Sequence, residues 1–484
     1  LEMRRRVAIG SQLAAASRFL SAPFFYRASS RTSRIVSALM TSNSWKKKYD
    51  ERLVAPEKAM KTVKSGAKVV LANLCAEPHL LPNLLFDRAR ELEKVRLFHA
   101  RPFGKFIDKY LEPGMEKHIR CATTFAGGIP KVVRLMREGR ADFYPVTLSR
   151  IPWLFREGPY KPDVFITTVS PPDRNGYCSF GVSVDWAWAA LETARNVIAE
   201  VNENMPRTCG DSMIHMSQLD WLVEVSEPIY EMPPAKITKV ERTIGENVAT
   251  LVEDGATIQI GYGGIAEAMT PFLEDKKDLG MHTEMVPEGV MRLVEEGAMT
   301  CKKKSVHKGR IICTFNAGTR RLYEWLDRNK MIEMKPVDYS NDSRIIAKNH
   351  KMTSINAALQ VDLYGSIYSD MLGFDQYSGA GGQPDFVIGA YLCPNGKSII
   401  VLPSTAEDGE ASRIVLHPAL SGNDRAPMIA TVARSFADFV VTEYGIASLR
   451  SKTTSERAKA LIEIAHPDFR DELWRKAREM RLAT

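Results

Sequence analysis

Short apolar runs rich in β-branched residues recur along the chain from about Val63 onward, each followed by a turn and a stretch with helical spacing. KVVLAN, DVFITTVS and NVIAEVN are the runs of the earlier part, and TIQIG, RIICTFNA, SIIVLPS and FVVTEYG those of the later part. Stretches such as ERAKALIEIA lie between or after them and read as helices. This alternation predicts an α/β fold with largely parallel sheets covered by helices, in which ligands bind beyond the carboxyl ends of strands.

The pattern occurs twice. VKSGAKVVLANLCAEPHLLPNLL from Val63 matches VEDGATIQIGYGGIAEAMTPFL from Val252, with Gly66 opposite Gly255. LFHAR faces GMHTE and pairs His99 with His282, YPVTLS faces KPVDYS, and DRNGYCS faces DLYGSIYS. The offsets stay between 183 and 191 residues and the order is kept. At 484 residues the chain exceeds what one hydrophobic core supports. Two homologous open α/β/α domains are therefore expected, at 45–234 and 235–484, divided near Pro233 and Pro234.

The copies differ where chemistry is expected. The first reads LANLCAE and carries Arg101, whereas the second reads IGYGGIAE and carries Glu284. Losing side chains is useful where a backbone must approach a ligand. The second half is thus expected to hold the reactive centre and the first to supply binding surface. Gly261 to Ala266 also fits the dinucleotide fingerprint GxGxxG/A, but that fold gives no role to the second glycine loop, Gly379 to Gly382. Two such loops can instead converge their amides on an oxyanion, as acyl transfer requires. With no convincing GxSxG elbow and no activated Cys–His pair, the nucleophile is expected to be a carboxylate already ionised at neutral pH. Glu284 is the candidate; read alone, it also fits a solvated acid at a strand end.

Charge removes several other functions. The net charge is +8, but seven arginines and one glutamate in residues 1–44 leave only +2 for the rest, which gives no support to a nucleic-acid partner. The leader itself, rich in Arg, Ser and Ala, reads as a mitochondrial presequence, with a disordered basic arm as the alternative. No apolar run is long enough to span a bilayer, so no membrane partner is expected. Seven cysteines without a CxxC pair and nine dispersed histidines predict neither a disulfide framework nor a metal site.

Several longer stretches add a resemblance: VNENMPRTCGDSMIH, GYGGIAEAM, GMHTEM, PVDYSND, SGAGGQPDF, VTEYGIASLR and IAHPDFR. From about Trp45 to the C-terminus the chain resembles the acetyl-CoA hydrolase/4-hydroxybutyrate CoA-transferase family of class I CoA-transferases. The resemblance implies a catalytic glutamate at Glu284 and oxyanion amides at Tyr262 and Gly382, in loops that also hold Gly263 and Gly381. It implies an acyl-contacting Asn341, which could equally cap a helix, and a second active-site acid at Glu443, which could equally be structural. Tyr262 is bulkier than the aliphatic residue of some relatives, which would narrow the acyl pocket toward short acids.

The implied activity is a ping-pong CoA transfer through a glutamyl-CoA thioester. With the leader it favours acetyl-CoA and succinate as substrates, acetate and succinyl-CoA as products, and the mitochondrial matrix as location. No separate cofactor is implied, and a homo-oligomer, foremost a dimer, is. The alternatives are an acetyl-CoA hydrolase, a butyryl- or 4-hydroxybutyryl-CoA:acetate transferase, and a non-catalytic acyl-CoA or dinucleotide-binding protein. Lys302, Lys303, Lys304, Lys308 and Arg310 form either a solvated charge run or a contact for CoA phosphates.

Overall fold

Two parallel sheets carry the chain's β-branched runs. The computed structural model describes residues 44–261, 263–373, 375–406, 409–416 and 429–482. The Arg-rich leader up to residue 43 and Tyr262 lie outside the described residues. Ser42–Thr484 forms one compact unit.

The first sheet contains β1 (Lys68–Leu71), β2 (Val95–Phe98), β3 (Ile119–Thr123), β4 (Asp142–Phe143), β5 (Val164–Val169), β6 (Asn196–Asn202) and β7 (Trp221–Val225). They lie in the order β4-β3-β2-β1-β5-β6-β7, and every pairing is parallel. The second contains β8 (Thr257–Ile260), β9 (Gly280–Met281), β10 (Met352–Ala357), β11 (Lys397–Val401), β12 (Phe439–Thr442) and β13 (Gly445–Ser448). Its order is β9-β8-β10-β11-β12-β13, parallel except for the final hairpin. Helices cover both sheets, so VFITTV and TIQI are buried at every position, which explains their near-continuous apolar character. Each fully buried Val, Ile, Leu or Phe contributes roughly 1.5–3 kcal/mol. Beside the buried threonines Thr167, Thr168 and Thr257, the amide of Gln259 exchanges two hydrogen bonds with Asn356 on the neighbouring strand.

The duplication extends to backbone detail. The five strands β2-β1-β5-β6-β7 correspond in order, all parallel, to β9-β8-β10-β11-β12. Gly66 and Gly255 enter the equivalent strands β1 and β8 with φ of +78° and +74°, a region that favours glycine. Asp173 and Asp362 each accept two backbone N–H groups, at 2.8–2.9 Å and 2.8–3.0 Å, in turns closed by Gly176 and Gly365. His99 and His282 follow the equivalent strands β2 and β9, and burial lowers both pKa values, to about 4 and about 3. Glu77 and Glu267 repeat a further device. Glu77 accepts from the backbone of Phe103 and Gly104, and Glu267 from that of Glu288 and Gly289. Each buttresses the loop following Arg101 or Glu284.

RIICTFNA departs from expectation. Its strand, Ile311–Cys313, stays out of the second sheet and pairs with Ile332–Met334. The chain then turns so that the N–H groups of Thr314 and Phe315 donate to the Glu284 carbonyl at 2.8 and 3.1 Å. The segment that looked like one more sheet strand is the clamp on the backbone of Glu284.

Candidate active site

Glu284 stands three residues past β9, at the carboxyl end of the second sheet. The residues before it are fixed from two sides. His282 Nε2–H donates to the Ser340 carbonyl at 2.7 Å, and Lys304 Nζ donates to the Met281 carbonyl at 2.7 Å and the Arg310 carbonyl at 2.8 Å. Lys304 is fully buried and its pKa is lowered to about 8 by desolvation. This removes Lys304 from the run read as solvated or as a phosphate contact. Lys302 and Lys303 are exposed, but Lys304 points inward to carbonyls its neighbours in sequence do not reveal.

Of the two glycine loops, the first leaves the neighbouring strand β8 and the second reaches the carboxylate itself. Gly261 donates its N–H to the Ile355 carbonyl within β10, and Gly263 has φ of +129°, where a side chain would be strained. A short helix, Gly264–Met269, follows, packed so closely on Lys239–Leu251 that a Cβ on Gly264 would collide with the Glu241 carboxylate. The second loop is held mostly by the first half of the chain. Ala126, Gly128 and Leu148 donate their N–H groups to the carbonyls of Ser378, Tyr377 and Gly381 at 3.4, 3.0 and 2.8 Å. Gly379 has no room for a Cβ against the Thr124 carbonyl, and Gly381 adopts φ of +56° beside the Phe125 ring.

Gly382 then delivers its N–H to Glu284. A Cβ on Gly382 would lie 2.5 Å from Glu284 Oε1 and closer still to Asn341 Nδ2. Asn341 is fully buried, and Ser340 Oγ donates to its Oδ1 at 2.9 Å, which turns its NH₂ toward the carboxylate. That NH₂ completes no hydrogen bond of normal geometry, yet it lies near enough to hold down the pKa of both Glu284 and Asp385. Asp385, buried on the helix Gln383–Leu392, accepts Ser149 Oγ at 2.8 Å and Ser149 N–H at 3.2 Å.

These surroundings change the expected ionisation. Glu284 keeps partial solvent contact, but desolvation and then the Asp385 charge raise its pKa to about 7, against the opposing Asn341 and Gly382 contacts. At neutral pH it is therefore partly protonated rather than fully ionised. Its folded pKa exceeds its unfolded value, so it contributes stability below about pH 4.5 that is lost as pH rises through about 7. For a reaction in which Glu284 is the nucleophile only its carboxylate form attacks, so the rate is expected to rise with pH and level off above about 7. A pH–rate profile checks this; a profile flat from pH 5 to 8, on the order of the interval over which such a group titrates, would contradict it.

Of the other expected residues, Glu443 follows β12 at the same end of the sheet. Its carboxylate accepts Ser404 N–H and Oγ at 2.9 and 2.5 Å, and no contact with Glu284 is recorded. Four strand steps separate β9 from β12, roughly 19 Å at ordinary strand spacing. Asp385 and Ser149 were not singled out from the sequence, although both sit inside quoted stretches, SGAGGQPDF and YPVTLS. A separate cavity of about 610 Å³ is lined by both acids (Asp173, Glu203, Glu231, Glu324, Asp327) and arginines (Arg207, Arg320, Arg328).

Two parallel sheets of this topology, with a carboxylate at the end of one beside the Gly382 and Asn341 amides, fit a CoA-transferase-like α/β protein. Residues 37–232 match the acetyl-CoA hydrolase/transferase N-terminal domain and residues 318–477 the C-terminal domain of the same family. Gly263 and Glu284 fall between the two matched stretches. The chain is 46% identical over 429 residues to the 4-hydroxybutyrate coenzyme A transferase of Clostridium kluyveri, covering 89% of this chain and 98% of that protein. It is 40% identical over 420 residues to the succinyl-CoA:acetate/propanoyl-CoA:succinate CoA transferase of Fasciola hepatica, covering 86% and 85%. The crystal structure of RipA from Yersinia pestis aligns with a TM-score of 0.82 at 36% identity, covering 90% and 98%. This chain belongs to the acetyl-CoA hydrolase/transferase family and is an enzyme of the CoA-transferase type.

Proposed function

We propose that this protein moves CoA between a short-chain acyl-CoA and a free carboxylic acid, with Glu284 as the covalent carrier. The observation that carries this reading is the Glu284 carboxylate, made basic by its surroundings and flanked by the Gly382 and Asn341 amides. A Glu284 oxygen attacks the thioester carbonyl carbon, the C–S bond breaks, and an acyl-glutamyl anhydride and CoA thiolate result. The thiolate then attacks the glutamyl carbonyl, which releases the first acid and leaves a glutamyl-CoA thioester. The acceptor carboxylate repeats both steps in reverse and restores Glu284. In each addition the amides stabilise the developing oxyanion.

For the acid, the 46% relative supports 4-hydroxybutyrate, and two 35% identical relatives named for butyryl-CoA with acetate and butyrate with acetyl-CoA support butyrate, the alternative rather than the acetate–succinate pair first expected. Succinate stays as a second reading because of Arg101. This residue is the first half's counterpart of Glu284. Its recorded partners are the Met232 sulfur and the Phe103 ring at 5.3 Å, and no ion pair with it is recorded among the described residues. Such a guanidinium suits the far carboxylate of a four-carbon diacid. The mitochondrial matrix is proposed as the location on the composition of the leader alone.

An acceptor panel decides. Wild-type enzyme with acetyl-CoA is expected to use butyrate and 4-hydroxybutyrate. Arg101→Met is expected to raise KM for succinate about 10- to 100-fold, the equivalent of one charged hydrogen bond, and to leave butyrate unchanged. A wild-type enzyme that ignores succinate removes the second reading. Equal CoA release with and without any acceptor makes the protein a hydrolase.

A further inference from the structure

We infer that Asp385 is a positioning residue for the transfer: gripped by Ser149 from the first half, it aims the Asn341 amide at Glu284, so the nucleophile is set only when both halves are docked. This rests on the transferase reading above.

The geometry is specific. Asn341 can rotate its amide in two senses, and the Ser340 hydroxyl on Oδ1 selects the one that presents NH₂ to the carboxylates. That NH₂ has two hydrogens and two acidic neighbours, Asp385 and Glu284. If Asp385 takes one hydrogen, the other is directed at the Glu284 side, where the reacting oxygen must be held. Asp385 is itself immobilised: both of its oxygens accept from Ser149, and Thr147 Oγ1 lies 3.1 Å from the Ser149 hydroxyl. Ser149 and Asp385 are 236 residues apart, and the same first-half segment holds Gly381 through Leu148. One short segment of the first half therefore fixes both the loop that ends in the Gly382 amide and the acid behind Asn341.

Asp385 also adds a negative charge next to Glu284. The groups facing it from the packed elements leave that charge uncompensated. The segment after β9 supplies Glu284 and the neutral His282, whose ring lies 6.4 Å from that of Phe386. The first-half segment supplies Ser149, with Arg150 turned over Trp153 at 5.9 Å. Beyond Asn341, Asp342 and Arg344 pair with each other. No cation is recorded as acting on Asp385 among the described residues. Burial raises the pKa of Asp385 itself to about 6, so above that pH its charge stands beside the nucleophile and raises the proton affinity of Glu284, and with it its strength as a nucleophile. The helix position offers a purely structural role as well, since an acid in a first turn is stabilised by the N–H groups there. That role moves melting temperature, not the ionisation of Glu284.

The test uses the full-length enzyme, Asp385→Asn and Ser149→Ala, a pH series and rapid-quench formation of the glutamyl-CoA thioester. Asp385→Asn is expected to slow thioester formation about 10- to 100-fold, the scale of a misplaced reacting group, with KM for the acyl-CoA within about 2-fold of wild type. Its acid limb in kcat/KM moves to lower pH, because the neighbouring charge is gone. Ser149→Ala keeps the Asp385 carboxyl group but frees it from its hydroxyl partner and is expected to slow thioester formation, and it carries the test alone should Asp385→Asn not fold. Thioester formation at the wild-type rate in either folded variant overturns the inference, as does a slowed Asp385→Asn whose acid limb has not moved. If wild-type enzyme itself gains no CoA on Glu284, the transferase reading fails instead.

Discussion

Glu284→Gln is expected to lower kcat for CoA transfer by on the order of 10⁴-fold, because the amide keeps the shape of the side chain and removes its nucleophilic oxygen. The Gly382 N–H and the Asn341 NH₂ remain to bind a thioester carbonyl, so KM for the acyl-CoA should change little. The variant is also expected to melt at or above the wild-type temperature at pH values above about 7, where wild-type Glu284 carries a charge that its surroundings disfavour. Steady-state kinetics and a thermal melt check both statements. Mass spectrometry supplies the chemical evidence: incubation with acetyl-CoA should load CoA onto the wild-type peptide holding Glu284 and leave the variant peptide unmodified. A variant that transfers CoA at the wild-type rate would remove Glu284 from the mechanism.

Gly382→Ala is expected to cost kcat about 10²- to 10³-fold, the effect of losing one oxyanion donor. The reason is space rather than backbone freedom. Gly382 has φ of −98° and ψ of 5°, which any residue can adopt, but its Cβ would lie 2.5 Å from Glu284 Oε1. Either the carboxylate or the Gly382 amide must move. Gly381→Ala is the contrast, since φ of +56° makes the alanine strained while its nearest neighbour, the Phe125 ring, is 3.4 Å from a Cβ. That change should cost stability by about 1–2 kcal/mol and activity less than Gly382→Ala does. A Gly382→Ala enzyme within about 3-fold of wild type, well inside the loss expected of an oxyanion donor, would show that the loop does not meet the reacting oxygen.

Much of this molecule is legible residue by residue because its signals are local. Gly66 and Gly255 mark the entry to equivalent strands, and Asp173 and Asp362 close equivalent turns, since each of these conformations depends on a few neighbouring residues. The strands follow for the same reason. Lys304 marks the limit: two lysines beside it are exposed, and only the carbonyls of Met281 and Arg310 make its burial possible. RIICTFNA reads as a strand like the others, yet its end is drawn aside to hold the Glu284 backbone.

The sequence by itself determined the two-fold repeat, the parallel α/β sheets and the candidate acid, Glu284, because turn chemistry, hydrophobic runs and their recurrence are written in contiguous residues. Only the tertiary structure decided the state of that acid. Its pKa near 7 comes from desolvation, from Asp385 and from the opposing Asn341 and Gly382 contacts, and Asp385 is in turn held by Ser149 from 236 residues away. Electrostatic environment depends on what the fold packs around a group, and no run of neighbouring residues contains that information.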